Sequence, residues 1–182
     1  MKKVFIFLAE GFEETEAVAT IDVMLRGELD VMSVSITGNL LVTGAHGIAV
    51  SAGTLFEKTD ISSGDMLILP GGMPGAANLN AHAGLKNALE QYATSGKKIA
   101  AICAAPLVLG GLGLLQGKKA TAYPGYESTL KGATYVNSPV VKDGNIITGQ
   151  GPGFALQFGL AIVEELQGKA KADEVAEGLL LK

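Results

Sequence analysis

Residues 99–111 read IAAICAAPLVLGG. An apolar run reaches Cys103, passes two alanines and meets Pro106. A short run of small and branched apolar residues has the signature of a strand buried on both faces. Proline fits the first turn of a helix, where its missing N–H costs nothing. The stretch therefore predicts a strand over Lys98–Ile102, a sharp turn at Cys103 and a helix that ends around Gly110–Gly113. Strand, turn and helix in that order build an α/β fold. They also place the only cysteine of the 182 residues where a nucleophile elbow would hold it.

The same alternation continues in both directions. Lys3–Leu8, Asp30–Ile36 and Asp65–Leu69 are short apolar runs closed by glycine or proline, and read as buried strands. Helical spacing appears over Glu13–Arg26 (Val18, Ile21, Val23, Met24, Leu25), Leu85–Thr94 with Gly96 as its cap, Phe154–Leu166 with Pro152 near its first turn, and Ala172–Leu179. Ala133–Val136 and Asn145–Thr148 read as strands, with a turn at Asp143-Gly144. Asn39–Val50, rich in glycine and β-branched residues, predicts a hairpin or irregular strands. The sum is a layered α/β sandwich around a mostly parallel sheet. Ligands of such sheets sit beyond the carboxyl ends of the strands. That places three loops at the site: Ala9–Glu16, Pro70–Gly75 and Cys103–Pro106.

Composition excludes several functions. A chain of this length builds one domain, residues 1–182. A net charge of −4 without a basic run argues against nucleic acid as the main partner. No stretch reaches the roughly 18 apolar residues of a membrane span. The opening MKKVFIFLAEGFEE is too short in its apolar part for a signal peptide, which predicts a cytoplasmic protein. One cysteine permits neither an intrachain disulfide framework nor a cysteine-rich zinc site. No metal constellation is apparent in the sequence, and no cofactor motif either. LPGGMPG fails the dinucleotide fingerprint at Met73, and no Gly-Lys-Ser/Thr follows it.

The residues alone leave Cys103 open to two readings, a small buried hydrophobe or a nucleophile. Ala101, Ala104 and Ala105 would let the backbone pass closely, and a helix N-terminus would favour a thiolate over the ordinary thiol pKa of roughly 8.5. Glu13 and Glu14 read as a solvated acidic first turn. Glu16 lies deeper, among residues that pack, and is the candidate for a buried carboxyl of raised pKa. The glycines of LPGGMPG could offer backbone N–H groups to an oxyanion. His82 reads as a solvated residue at a helix start. His46, in TGAHGI, stands open between surface and site.

FLAEGFEETEAVATIDVMLRG, LILPGGMPGAANL, KKIAAICAAPLVL and VVKDGNIITGQGPGFALQFGLAIVEEL, in this order and spacing, resemble the ThiJ/PfpI superfamily. The branch is that of the Parkinson-associated protein deglycase, a class I glutamine amidotransferase-like domain, and the resemblance covers nearly the whole chain. It implies a flavodoxin-like three-layer sandwich with a nucleophile elbow, and a homodimer. It implies Cys103 as the reactive cysteine and Glu16 as the glutamate bonded to its sulfur. The backbone of Gly71, Gly72 and Ala104 would lie beside that sulfur, with Tyr123, His46 and Pro152 lining the site. Many members carry a histidine where this chain has Tyr123. A phenol is a weak base near neutrality, so the protease label of some relatives does not carry over. Where the branch tends to an arginine that reaches the partner subunit's site, this chain has His46.

Two functions follow from the resemblance. One is a cofactor-free enzyme of glyoxalase III or deglycase type, a lyase or hydrolase acting on a small reactive aldehyde or a glycated group, such as methylglyoxal to lactate. The other is a redox sensor or stress chaperone that signals through oxidation of Cys103. A retained fold without activity is the third reading.

Overall fold

The computed structural model describes residues 1–181; Lys182, the end of the expected domain, lies outside them. Its elements in chain order are β1 (Lys3–Leu8), α1 (Glu14–Arg26), β2 (Asp30–Ser35), β3 (Leu41–Thr43), β4 (Ala49–Ser51), β5 (Thr54–Leu55) and β6 (Met66–Leu69). There follow α2 (Gly75–Ala81), α3 (Ala83–Thr94), β7 (Lys98–Ile102), α4 (Pro106–Gly111), β8 (Lys119–Ala120) and β9 (Thr134–Tyr135). The chain closes with β10 (Val140–Asp143), β11 (Ile146–Gly149), α5 (Ala155–Gln167) and α6 (Lys169–Gly178).

Seven strands form one sheet in the order β10-β11-β7-β6-β1-β2-β5. Every pairing is parallel except β10 with β11, the hairpin turned at Asp143-Gly144. Burial on both faces explains the apolar runs. Phe5, Phe7, Leu67, Leu69, Ile99 and Ala101 point to the layer that holds Leu85, Leu89 and Tyr92 of α3 and Val108 of α4. Their alternates Val4, Ile6, Met66, Ile68, Ala100 and Ile102 point to Val23 and Met24 of α1 and Phe158, Ile162 and Val163 of α5. This is the three-layer flavodoxin-like sandwich expected from the sequence.

Several local expectations are corrected. Val18 and Leu25 of α1 carry the helical spacing, yet they are 49% and 53% exposed; of the five, Val23 and Met24 are buried in the core and Ile21 packs against it partly buried. Glu13 and Glu14 are buried rather than solvated, because the β3–β4 hairpin covers the start of α1. α6 begins at Lys169, directly after Gly168 closes α5, rather than at Ala172. Helix α2 was not predicted. It is seven residues long and starts at Gly75, where proline and glycine suggest only a turn. The strand expected at Ala133–Val136 is β9, but it pairs with β8 outside the central sheet.

Chain order reverses at β1: the chain runs outward through β2 and β5 on one side, and through β6, β7 and β11 on the other. The crevice of an open α/β sheet lies at such a switch, beyond the carboxyl ends of its strands. The three loops expected there do meet. Glu13 donates its N–H to the Gly71 carbonyl at 2.9 Å, and Gly75 donates to Gly11 at 3.0 Å. Cys103, at the end of β7, donates its N–H to the Gly149 carbonyl at 2.9 Å.

Candidate active site

Cys103 has φ 65° in the left-handed region, which a non-glycine residue enters at a cost of about 1–3 kcal/mol. The neighbours enforce it. The Cys103 N–H is tied to β11 through Gly149, its carbonyl accepts the Tyr123 N–H at 2.9 Å, and Pro106 begins α4 three residues on. The chain must turn from strand to helix within this span, and the strained residue takes the turn. That is the elbow the opening stretch predicted.

Glu16 stands across from it. The residue is fully buried on α1. Its position follows from the capping of that helix: Glu13 is the N-cap, and its Oε2 accepts the Glu16 N–H at 2.6 Å. Oε2 of Glu16 accepts the Gly71 N–H at 2.8 Å. Oε1 is buried and meets no donor of regular hydrogen-bond geometry among the described residues. A carboxyl in that state has one oxygen bonded as an acceptor and the other suited to carry a proton. The Cys103 thiol is the group it interacts with.

Burial pushes the Glu16 carboxyl up to about 7; the Cys103 and Gly71 hydrogen bonds restrain the rise, and the charge of Glu13 adds to it. Burial also pushes the Cys103 thiol up, to about 12, aided by the charge and hydrogen bond of Glu16. The Gly72 and Ala104 N–H groups, directed at the sulfur, work in the opposite sense. A thiol lowered by the helix N-terminus, as the sequence suggested, is therefore corrected. α4 is only six residues long, and its effect is outweighed by the burial of the thiol, to which the Glu16 carboxylate adds. Two strongly interacting groups titrate as a pair. Once Glu16 holds a proton, the charge that opposes the thiolate is gone, and the same carboxyl becomes a hydrogen-bond donor to it.

The glycine pair is shaped for this site. A β-carbon on Gly71 would lie 2.6 Å from Cys103 Cβ and 2.8 Å from Glu16 Oε2. Gly72 has φ 86°, and a β-carbon there would strike the Glu13 nitrogen. The two glycines divide the work. Gly71 lies beside the cysteine but gives its N–H to Glu16, and Gly72 serves the sulfur.

Tyr123 and Pro152 come together in an open cleft of ≈ 310 Å³ beside the elbow, with Gln150, Gly151 and Phe154. Cys103 is just under the surface, 7% exposed, and is not one of the walls. His46 goes elsewhere within the chain. It caps the β3–β4 hairpin, with its ring 70% exposed and Nδ1 2.8 Å from Glu14 Oε2. Glu14 Oε1 accepts the N–H groups of His46 at 2.7 Å and Ile48 at 3.3 Å. Burial opposes charge on Glu14, but these bonds outweigh it and hold the carboxyl below its usual range; Glu14 in turn holds His46 above its own. His82 is the N-cap of α3, where Nδ1 accepts the Leu85 N–H at 3.0 Å.

Sequence reasoning missed two contributors, the capping carboxylate of Glu13 and the Gly149 carbonyl. The first leaves little trace, since glutamate is not among the preferred N-cap residues and its role follows from where α1 begins. The second is a contact between distant strands and leaves no local trace.

The sequence profile of the DJ-1/PfpI family matches residues 2–165. The chain belongs to the DJ-1/PfpI family. It is 44% identical to Protein DJ-1 homolog A of Arabidopsis thaliana over all of its own length and 47% of that protein's. The chain thus spans about half the length of the plant relatives it matches. It is 31% identical to the glutathione-independent glyoxalase DJ-1 of Schizosaccharomyces pombe, with 98% of each covered. Among solved structures, oxidized DJ-1 of Toxoplasma gondii superposes with a TM-score of 0.95 at 36% identity, covering 99% of this chain and 98% of that one. The DJ-1 fold and the family expected from the four motif strings are the ones found. No helix among the described residues is long and apolar enough to cross a membrane.

Proposed function

We propose that this DJ-1/PfpI member acts, as a single domain in the cytoplasm, on small reactive carbonyls through Cys103 and Glu16. The observation that carries this is the pairing of a strained cysteine with a buried carboxyl whose pKa, about 7, lets it both give and take a proton near neutrality. With a 2-oxoaldehyde, the Cys103 sulfur adds to the aldehyde carbon, and the carbonyl oxygen takes up the thiol proton to form a hemithioacetal. The Gly72 and Ala104 N–H groups suit the charge that develops there. Ionised Glu16 then removes the proton from that carbon, and the resulting enediol is reprotonated at the neighbouring carbon. The product is a thioester, which water hydrolyses to the 2-hydroxy acid and free Cys103. Atoms balance as aldehyde plus water, without an external electron carrier. The name of the fission-yeast relative supports the substrate class. A glycated amine or thiol would join the same cycle when the Cys103 sulfur replaces it on the carbinol carbon: the carbon–nitrogen or carbon–sulfur bond breaks as the new carbon–sulfur bond forms, and the amine or thiol leaves with the Cys103 proton.

The test is lactate formation from methylglyoxal by the wild type, Cys103→Ala and Glu16→Gln, each checked for folding by circular dichroism. Turnover in the wild type and its loss in both variants is expected. Equal turnover in Cys103→Ala would end this reading.

A second reading is a redox sensor. It is favoured by the donors around the sulfur, Gly72, Ala104 and a protonated Glu16, which would also hold a sulfinate, and by the oxidized state of the Toxoplasma relative. Mass spectrometry after mild peroxide would show two oxygens added on Cys103 if this reading holds. For either function we expect a symmetric dimer through the exposed Val18 and Leu25 of α1 and Leu41 and Ile48 of the hairpin, with His46 facing the partner's site.

A further inference from the structure

Glu13 and Glu14 at the start of α1 and His46 on the hairpin come from positions more than thirty residues apart. One ligand atom from each lies within 4.8 Å of the others. Glu13 and Glu14 are 9% and 6% exposed, and Glu16 behind them is fully buried. Glu13 and Glu14 are thus sunk side by side, and among the described residues no lysine or arginine pairs with either of them. Among the described residues, His46 is the sole cationic side chain that Glu13 and Glu14 meet. Glu14 is offset by His46 and by two backbone N–H groups, whereas Glu13 has only the Glu16 N–H, and a carboxylate so placed is favoured by a nearby cation. Glu13 Oε1 is the spare donor. Its sister oxygen is committed to the Glu16 N–H, whereas Oε1 accepts no hydrogen bond among the described residues and stands 4.0 Å from His46 Nδ1.

From this we propose that Glu13, Glu14 and His46 form a binding site for a divalent first-row transition ion of the zinc class. The spacing suits it. Bonds of about 2.0–2.2 Å to nitrogen and oxygen place tetrahedral donors about 3.4 Å apart. His46 Nδ1 is 2.8 Å from Glu14 Oε2 and 4.0 Å from Glu13 Oε1, on either side of that value. The adjustment falls on the exposed imidazole ring. Imidazole with two carboxylates favours zinc, nickel or copper over calcium, whose sites are built from oxygen alone. The proton now shared between Nδ1 and Glu14 moves to the solvent-facing Nε2 or leaves to water, and the ion takes its place. Glu14 Oε1 keeps the His46 and Ile48 N–H groups, which orient the carboxylate as metal-site carboxylates are commonly oriented. The fourth position is open to water. A bound ion would clamp the hairpin to α1, one helical turn from Glu16.

The experiment is isothermal titration of the metal-free full chain with zinc chloride at pH 7.5, in the wild type, His46→Ala, Glu13→Gln and Cys103→Ala. Glu13→Gln keeps an oxygen for the Glu16 N–H, and His46 is on the surface, so both variants should fold; circular dichroism checks this. Expected are one ion per chain, binding at least tenfold weaker in both site variants, and unchanged binding in Cys103→Ala. The thermal midpoint should rise with zinc in the wild type and not in His46→Ala. No saturable binding by the wild type, or binding lost in Cys103→Ala, or binding retained in His46→Ala, would overturn the assignment.

Discussion

Replacing Glu16 by glutamine should remove most of the dependence of stability on pH between 5 and 8. In the folded protein the carboxyl titrates at about 7, against an ordinary value of 4.5. Below 4.5 it is protonated in both states and contributes nothing to the difference. As pH rises, the unfolded chain ionises first while the folded chain keeps its proton. Stability therefore falls from about pH 4.5 and levels off above 7. A displacement from 4.5 to about 7 amounts to about 3 kcal/mol over the whole range, of which about 2 kcal/mol lies between pH 5 and 8. Glutamine has no proton to lose, so that slope disappears. The amide keeps an oxygen for the Gly71 N–H, which limits the local damage. Urea unfolding of wild type and Glu16→Gln at pH 5, 6, 7 and 8 measures this as the difference between two curves. His46 contributes in the same direction, its raised pKa stabilising the fold below 6.5 and losing effect above it, but it does so in both proteins. Cys103 stays protonated throughout the window. The variant should gain about 2 kcal/mol relative to the wild type from pH 5 to 8. Parallel curves would refute the claim that Glu16 is held neutral by burial.

The same variant should expose Cys103 chemically. Removing the Glu16 charge removes one cause of the raised thiol pKa, so alkylation by iodoacetamide at pH 8 should be faster in Glu16→Gln than in the wild type; equal or slower reaction would contradict the coupling. Glu14→Ala deprives the His46 and Ile48 N–H groups of their acceptor and should cost about 1–2 kcal/mol, read as a lower urea midpoint. Val18→Asp with Ile48→Lys places charge on the exposed apolar surface of α1 and the hairpin and should shift light scattering toward the monomer mass; an unchanged mass in a protein that is dimeric to begin with would move the interface elsewhere.

The parallel sheet was legible because strands buried on both faces leave continuous apolar runs, and KIAAI, MLIL and KVFIFL are such runs. The elbow was legible for a related reason: a strand that ends on cysteine with proline three residues later has room only for a sharp turn. Glu16 could be singled out because it lies deeper in the predicted helix than Glu13 and Glu14, among the residues of α1 that must pack. These are local patterns, and local sequence carries them. What only the tertiary structure decided is where the polar groups end. That Gly71 gives its N–H to Glu16 and Gly72 to the sulfur depends on the register between β6 and β7. That Glu14 is buried under His46 depends on a hairpin folding back over the helix from thirty residues away. The thiol pKa rises rather than falls for the same kind of reason. Desolvation and the field of a carboxylate are set by what surrounds an atom in space, and no spacing along the chain records either.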